Sequence, residues 1–134
     1  MSRSAVPEGY RTLSPYLVAE GADELIGFVS RVFGAEERNR TTGEAGGLHC
    51  ELELGDSVLM IGEGGGTSFP AMLHVYVEDA DAVYERALAE GATSAAEPHD
   101  TSFGDHRAAF DDRWGNQWWV ATRIRERHEV VDRG

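Results

Sequence analysis

Apolar positions along this chain follow two periods, and each pattern occurs twice. Leu25, Phe28, Val29 and Val32 fall at the i, i+3, i+4, i+7 spacing of an amphipathic helix. Asp23 is placed to act as its N-cap and Gly34 as its stop. A short apolar strand over Thr12 to Val18 precedes this helix, and three strands are predicted after it, near Glu36 to Thr41, Leu48 to Leu54 and Ser57 to Ile61. Gly55-Asp56 is the two-residue turn of the last pair. Downstream the order returns: a strand over Met72 to Val77, then a helix over Asp81 to Glu90 that presents Val83, Ala87 and Leu88 inward and stops at Gly91. Strands near Thr93 to Glu97, His106 to Asp111 and Gln117 to Thr122 complete it.

The wording repeats along with the layout. Ala22-Asp23-Glu24-Leu25 is echoed by Ala80-Asp81-Ala82-Val83 at an offset of 58 residues, and Gly55-Asp56-Ser57-Val58 by Gly115-Asn116-Gln117-Trp118 at an offset of 60. Two copies of one supersecondary unit follow from such a period. The predicted fold class is therefore α+β, two tandem βαβββ modules with a helix packed on one face of each small sheet. Module 1 covers about residues 10–62, a glycine-rich joint about 63–70, module 2 about 71–122 and a charged tail 123–134, all within a single domain. The joint lacks the Lys and the following helix that a phosphate cradle requires.

Strand alternation sorts the candidate chemistry by face. Met72, His74 and Tyr76 share one side and Leu73, Val75 and Val77 the other, so the aliphatic set packs on the helix. His49, Glu51 and Glu53 lie opposite Leu48, Cys50, Leu52 and Leu54. Three readings of that polar set stay open: the solvated face of an antiparallel strand, a face that binds a polar ligand, or an acid/base pair of His49 and Glu51 or a metal-holding group that they form with His74. Trp118 is assigned to the core and Trp119 to the opposite side.

Composition narrows the partners. The formal charge of −12, from 24 acidic against 12 basic residues, argues against nucleic acid and anionic membrane surfaces. Neutral or cationic small molecules and proteins remain. A single cysteine, Cys50, excludes an intrachain disulfide and points to a cytoplasmic home, as a buried thiol rather than a nucleophile. No apolar run approaches the roughly 18 residues of a membrane span.

The duplicated layout, together with Pro15-Tyr16-Leu17, Phe33-Gly34-Ala35, His49-Cys50-Glu51-Leu52, Asp79-Ala80-Asp81 and Asp112-Arg113-Trp114-Gly115-Asn116, resembles the vicinal oxygen chelate superfamily. The likeness is to its PhnB-like, glyoxalase and bleomycin-resistance branch and covers about Tyr10 to Thr122. It implies two sheets curled into a cup, and, in catalytic members, a divalent metal held by the first and last strands of each copy. Those positions fall on Ser14, Leu59, Met72 and Trp119, and the internal repeat selects the same four. An aliphatic chain, an indole, a thioether and a neutral hydroxyl are wrong for the usual His/Glu site, so no cofactor is expected. The resemblance also implies a homodimer and a loop with a Phe/Tyr-Gly-Asp-x-Arg pattern at Phe103 to Arg107 bordering the cup. His99 and His106 lie in or beside that loop. Arg107 either pairs with Asp111 or Asp112 or recognises an anionic ligand, and His128 in the tail is uninvolved.

The leading expectation is a metal-free small-molecule binding protein of the bleomycin-resistance type, with an antibiotic-like aromatic or cationic ligand. Tyr16, Leu59, Met72, His74, Tyr76 and Trp119 would line its cavity, anchored by His49, His74 and Glu51. The alternative is a metal-dependent lyase or dioxygenase whose displaced ligands are His49, Glu51 and His74. A third is a filled cup whose surface does the work.

Overall fold

The computed structural model describes residues 5–42 and 46–125, and the chain divides into two compact units, 1–70 and 71–134. No helix among the described residues is long and apolar enough to cross a membrane.

The first unit runs β1 (Tyr16–Ala19), α1 (Ala22–Phe33), β2 (Glu36–Thr42), β3 (Leu48–Leu54) and β4 (Ser57–Glu63). Its sheet has the order β1-β4-β3-β2, with β1 parallel to β4 and the other pairs antiparallel. The second unit repeats this as β5 (Met72–Tyr76), α2 (Ala80–Ala89), β6 (Thr93–Asp100), β7 (Asp105–Asp111) and β8 (Gln117–Arg123), in the order β5-β8-β7-β6. Each sheet is mixed, four-stranded and open at its edges, so the predicted α+β class and βαβββ order hold.

One face of each sheet packs on its helix. In the first unit Leu17, Cys50, Leu52, Leu59 and Ile61 are buried there with Leu25, Ile26, Phe28, Val29 and Val32 of α1. In the second, Phe110, Trp118 and Val120 meet the Val83, Tyr84 and Ala87 side of α2. Trp118 is thus core, as expected.

The helix starts differ from expectation. Asp23 does not cap α1; Gly21 holds the cap position in a left-handed conformation without a side-chain bond, and Asp23 pairs instead with Arg40 at 2.7 Å. The orphan N–H groups are met from the sheet: Glu63, the last residue of β4, accepts from Gly21 N at 3.2 Å and Ala22 N at 3.0 Å. A carboxylate there also complements the helix dipole. Thr122 does the corresponding job in the second unit, accepting from Ala80 N at 2.8 Å and donating to Val77 O at 2.9 Å. Asp79 caps α2 by accepting from Ala82 N at 3.1 Å. Gly34 ends α1 at φ 71, as predicted.

Strand bounds shift where proline and sheet edges intervene. β1 begins at Tyr16 and leaves Ser14 outside it, since Pro15 has no N–H to donate and only its carbonyl joins the ladder, accepting from Met60 N at 3.0 Å. β6 runs on through Pro98 because it is an edge strand whose register shifts between Ala96 and His99. The glycine-rich segment after β4 folds back on β1, with Gly64 N bonded to Ala19 O and Phe69 N to Val18 O. A Cβ on Gly64 would lie 1.6 Å from Thr67 O, so only glycine makes that turn.

The two hairpins differ in length, which sets the phase of everything after them. Leu54 pairs with Ser57 across the two-residue turn, whereas Asp111 pairs with Gln117 across five residues. Buried Asp112 organises the longer turn. Its carboxylate accepts from Trp114 N and Asn116 N, both at 2.9 Å, from Asn116 Nδ2 at 3.0 Å and from Trp118 Nε1 at 2.9 Å. Asn116 in turn accepts from Ala71 N at 3.0 Å. Replacing Asp112 by Ala strands several buried donors, so a loss of about 3 kcal/mol in folding stability is expected; urea denaturation monitored by tryptophan fluorescence checks it.

Candidate functional site

The faces turned away from the helices carry the polar and aromatic candidates. In the second sheet cross-strand register places Met72, Gln117 and Asp111 in one row, His74, Trp119 and Ala109 in the next, and Tyr76, Ala121 and Arg107 in the third. Met72 is 70% exposed and Tyr76 52%, with His74 exposed between them and Trp119 half-buried alongside. The His74 and Tyr76 rings stand 5.0 Å apart. Sequence alternation thus grouped Met72, His74, Tyr76 and Trp119 on one face.

Arg107 is placed differently from the expected ion pair. Its guanidinium lies over Trp119, 4.6 Å from the ring centroid, and 5.4 Å from that of Phe103. Asp112 is committed to its own turn, and Asp111 accepts from Gln117 Nε2 at 3.0 Å. The face of Trp119 is therefore shared with a cation of the chain itself. Trp119 Nε1 donates to Gln117 Oε1 at 2.8 Å, which fixes the indole. Beneath this layer Asp105 is fully buried and accepts from the Tyr76 hydroxyl at 2.9 Å through Oδ2. Among the described residues its Oδ1 and the buried Arg107 Nε have no hydrogen-bond partner. Asp105 went unrecognised in the sequence, although its place in Phe103-Gly104-Asp105-His106-Arg107 was a signal.

The first sheet presents different chemistry. Tyr16, Met60, Gly62, His49 and Glu51 share its helix-free face. The Tyr16 hydroxyl is 2.9 Å from His49 Nδ1, His49 Nε2 is 3.4 Å from Glu51 Oε2, and Tyr10 donates a hydrogen bond to Glu51 Oε1. That bond, before all else, raises the Tyr10 phenol above its ordinary value, because the neutral donor is favoured beside a carboxylate. Arg38 stacks on Tyr10 at 4.7 Å, and both border an open cleft of 380 Å³ with Glu53 and Val58. Tyr10 and Arg38 were not singled out in the sequence.

Leu59 requires a correction. It pairs with Leu52 on the helix side and is buried, so it lines no helix-free face. The expected equivalence matched Gly55 to Gly115, but the hairpins close one residue out of phase, and a one-residue shift in a strand exchanges faces. Met60 is the true counterpart of Trp119. Exchanging Leu59 for Met60 swaps an aliphatic chain for a thioether, and Ser14 stands before β1. These residues do not fit the usual nitrogen and oxygen donor set. Among the described residues no group of three or more His, Cys, Asp or Glu side chains is arranged to hold a metal ion. His49 and Glu51 are together in the first unit; His74 belongs to the second.

The remaining histidines lie elsewhere. His99 is on edge strand β6, with Nδ1 2.8 Å from Glu97 O. His106 lies on the helix side of β7, its Nδ1 2.7 Å from Asp100 and its Nε2 2.8 Å from Asp81. His128 is outside the described residues. Cys50 is buried and its thiol is pushed up by burial, as an inert core cysteine would be.

A model of the Glyoxalase/Bleomycin resistance protein/Dioxygenase superfamily matches residues 13–120. The chain is similar to an uncharacterized protein of Mycobacterium bovis, 32% identical over 128 residues that cover 85% of this chain and 84% of the relative. Among solved structures it is similar to TioX from Micromonospora sp. ML1, with TM-score 0.72 and 22% identity over 85% of this chain and 99% of that one. It is also similar to the genomically encoded fosfomycin resistance protein FosX from Listeria monocytogenes, with TM-score 0.70 and 14% identity over 85% and 92% of the two chains.

Both His106 nitrogens face carboxylates, which only accept, so the doubly protonated ring fits best. The bond to Asp81 and then that to Asp100 raise its pKa above the usual 6.5. Such a group stabilises the fold fully below its unfolded value of about 6.5, and the contribution is lost as pH rises through the folded value. The stability gap between wild type and His106→Gln should shrink from pH 5.5 to pH 8.5, and the NMR titration midpoint of His106 should exceed 6.5.

Proposed function

The chain belongs to the Glyoxalase/Bleomycin resistance protein/Dioxygenase superfamily, and from that premise we propose that it binds a small, flat organic molecule without the usual metal. The observation that carries this reading is the row of exposed Met72, His74 and Tyr76 on edge strand β5 beside half-buried Trp119. Large apolar and aromatic groups set side by side on a helix-free face suit stacking on a planar ligand. Arg107 Nε and Asp105 Oδ1, buried and without hydrogen-bond partners among the described residues, lie next to that layer.

The donor chemistry at Ser14, Met60, Met72 and Trp119 favours binding over metal-assisted turnover. FosX is named for fosfomycin resistance, and an antibiotic-like ligand is part of the proposal here. With Arg107 already over Trp119, an aromatic molecule bearing a hydrogen-bond acceptor is favoured over a simple cation. Homodimerisation belongs to the same proposal.

A thermal-shift screen against aromatic antibiotics, cationic glycopeptides and divalent metals tests it. A ligand at about 100 times its Kd adds about 2.7 kcal/mol to the folded state, a rise of several degrees in Tm. Trp119→Ala should weaken such a ligand about tenfold, roughly 1.4 kcal/mol, by isothermal titration. Stoichiometric metal in protein purified without chelator, lost in His74→Ala, would contradict the metal-free reading.

A further inference from the structure

The helix-free face of the first sheet holds a hydrogen-bonded line of side chains that the ligand face of the second sheet does not use. Its order is Tyr16, His49, Glu51, Tyr10. Glu51 is only 7% exposed, while Tyr16 at the other end is 48% exposed. A buried carboxylate, an imidazole between, and an accessible hydroxyl form the base-and-orienter arrangement of an activated oxygen.

Proton positions follow from the partners. A carboxylate only accepts, so His49 Nε2 carries the hydrogen facing Glu51, and in the neutral ring Nδ1 then accepts from the Tyr16 hydroxyl. Tyr10 occupies the other oxygen of Glu51 and holds the carboxylate in place. The backbone makes room for this line. Tyr16 is on β1 and His49 on β3, with β4 between them. The Tyr16 ring crosses β4 above Gly62, the residue that pairs with both Val18 and His49. A Cβ at Gly62 would meet the Tyr16 hydroxyl at 2.7 Å and Cε1 at 3.0 Å, so glycine is what lets the hydroxyl reach the imidazole.

We propose that Tyr16, His49 and Glu51 form a hydroxyl–imidazole–carboxylate triad that removes a proton from a hydroxyl-bearing small organic substrate. Tyr16 is the catalytic residue. Its oxygen takes the substrate hydroxyl proton while its own proton passes to His49 Nδ1, and the electron pair of the broken substrate O–H bond stays on the substrate oxygen. Glu51 stabilises the resulting imidazolium, and Glu51, Tyr10 and Gly62 are positioning residues. No metal or redox partner enters this step.

An arylsulfonyl fluoride probe reads the activation without knowledge of the substrate. The Tyr16 oxygen forms the new S–O bond, the S–F bond breaks, fluoride leaves, and the phenol proton goes to His49. N-acetyltyrosinamide in the same sample is the comparison, since the Tyr76 hydroxyl is already held by Asp105, and mass spectrometry gives both rates. Tyr16 is expected to label at least tenfold faster than N-acetyltyrosinamide at pH 7.5. His49→Gln and Gly62→Ala should each cut the Tyr16 rate at least tenfold; the second variant alters no member of the triad. A Tyr16 rate equal to that of N-acetyltyrosinamide, or a rate unmoved in His49→Gln, would overturn the proposal. The unmutated protein alone supplies the comparison with N-acetyltyrosinamide, so the result does not hinge on a variant's folding, and it is independent of whether the second sheet binds ligand.

Discussion

The phase of side-chain alternation along the strands governs the chemistry of this protein. A strand presents successive side chains to opposite faces, and in each unit one face must be apolar enough to pack on a helix. Turn length sets that phase. In the second unit the Asp112 carboxylate gathers Trp114, Asn116 and Trp118 around the β7–β8 turn, which locks Trp118 inward and sends Trp119 outward. A slip of one residue would bury Trp119 and expose Trp118. Both the core and the candidate ligand face would be lost together.

With phase fixed, the two copies keep a common frame and diverge in what they mount on it. The helix starts show this clearly. Glu63 and Thr122 occupy matching ends of β4 and β8 and serve the first N–H groups of α1 and α2, one as a carboxylate and the other as a hydroxyl. The helix-free faces diverge further: Tyr16, His49 and Glu51 form a polar, hydrogen-bonded line, while Met72, His74, Tyr76 and Trp119 form an aromatic surface with Arg107 laid across it. The two copies share the scaffold and differ in the side chains of their helix-free faces.

Elements with one strong period were legible from the residues alone. Both helices, the Leu48–Leu54 strand and the inward Trp118 follow from periodicities that solvent exposure enforces. The phase of β4 was not legible, because Val58, Leu59, Met60 and Ile61 are apolar without alternation and either side satisfies the pattern. Matching glycines between turns of two and five residues then moved Leu59 onto the wrong face. The Asp23 cap failed for another reason: a carboxylate from Glu63, distant in sequence, took the helix terminus first. Contacts between groups far apart along the chain, Tyr10 with Glu51 and Arg107 with Trp119, depend on side-chain directions that no local pattern encodes. Those contacts carry most of the site's chemistry, which is why the grouping of the aromatic face was visible and its electrostatics were not.

Trp119 projects from the helix-free face of the second sheet under Arg107 while Trp118 is locked in the core, and the rest of the site depends on that split. Proton NMR of uniformly labelled protein tests it directly through nuclear Overhauser contacts of the two indoles. Contacts from the Trp119 ring to the Arg107 side chain and from the Trp118 ring to Phe110 are expected. Contacts from Trp119 to Phe110, with Trp118 beside Arg107, would contradict it.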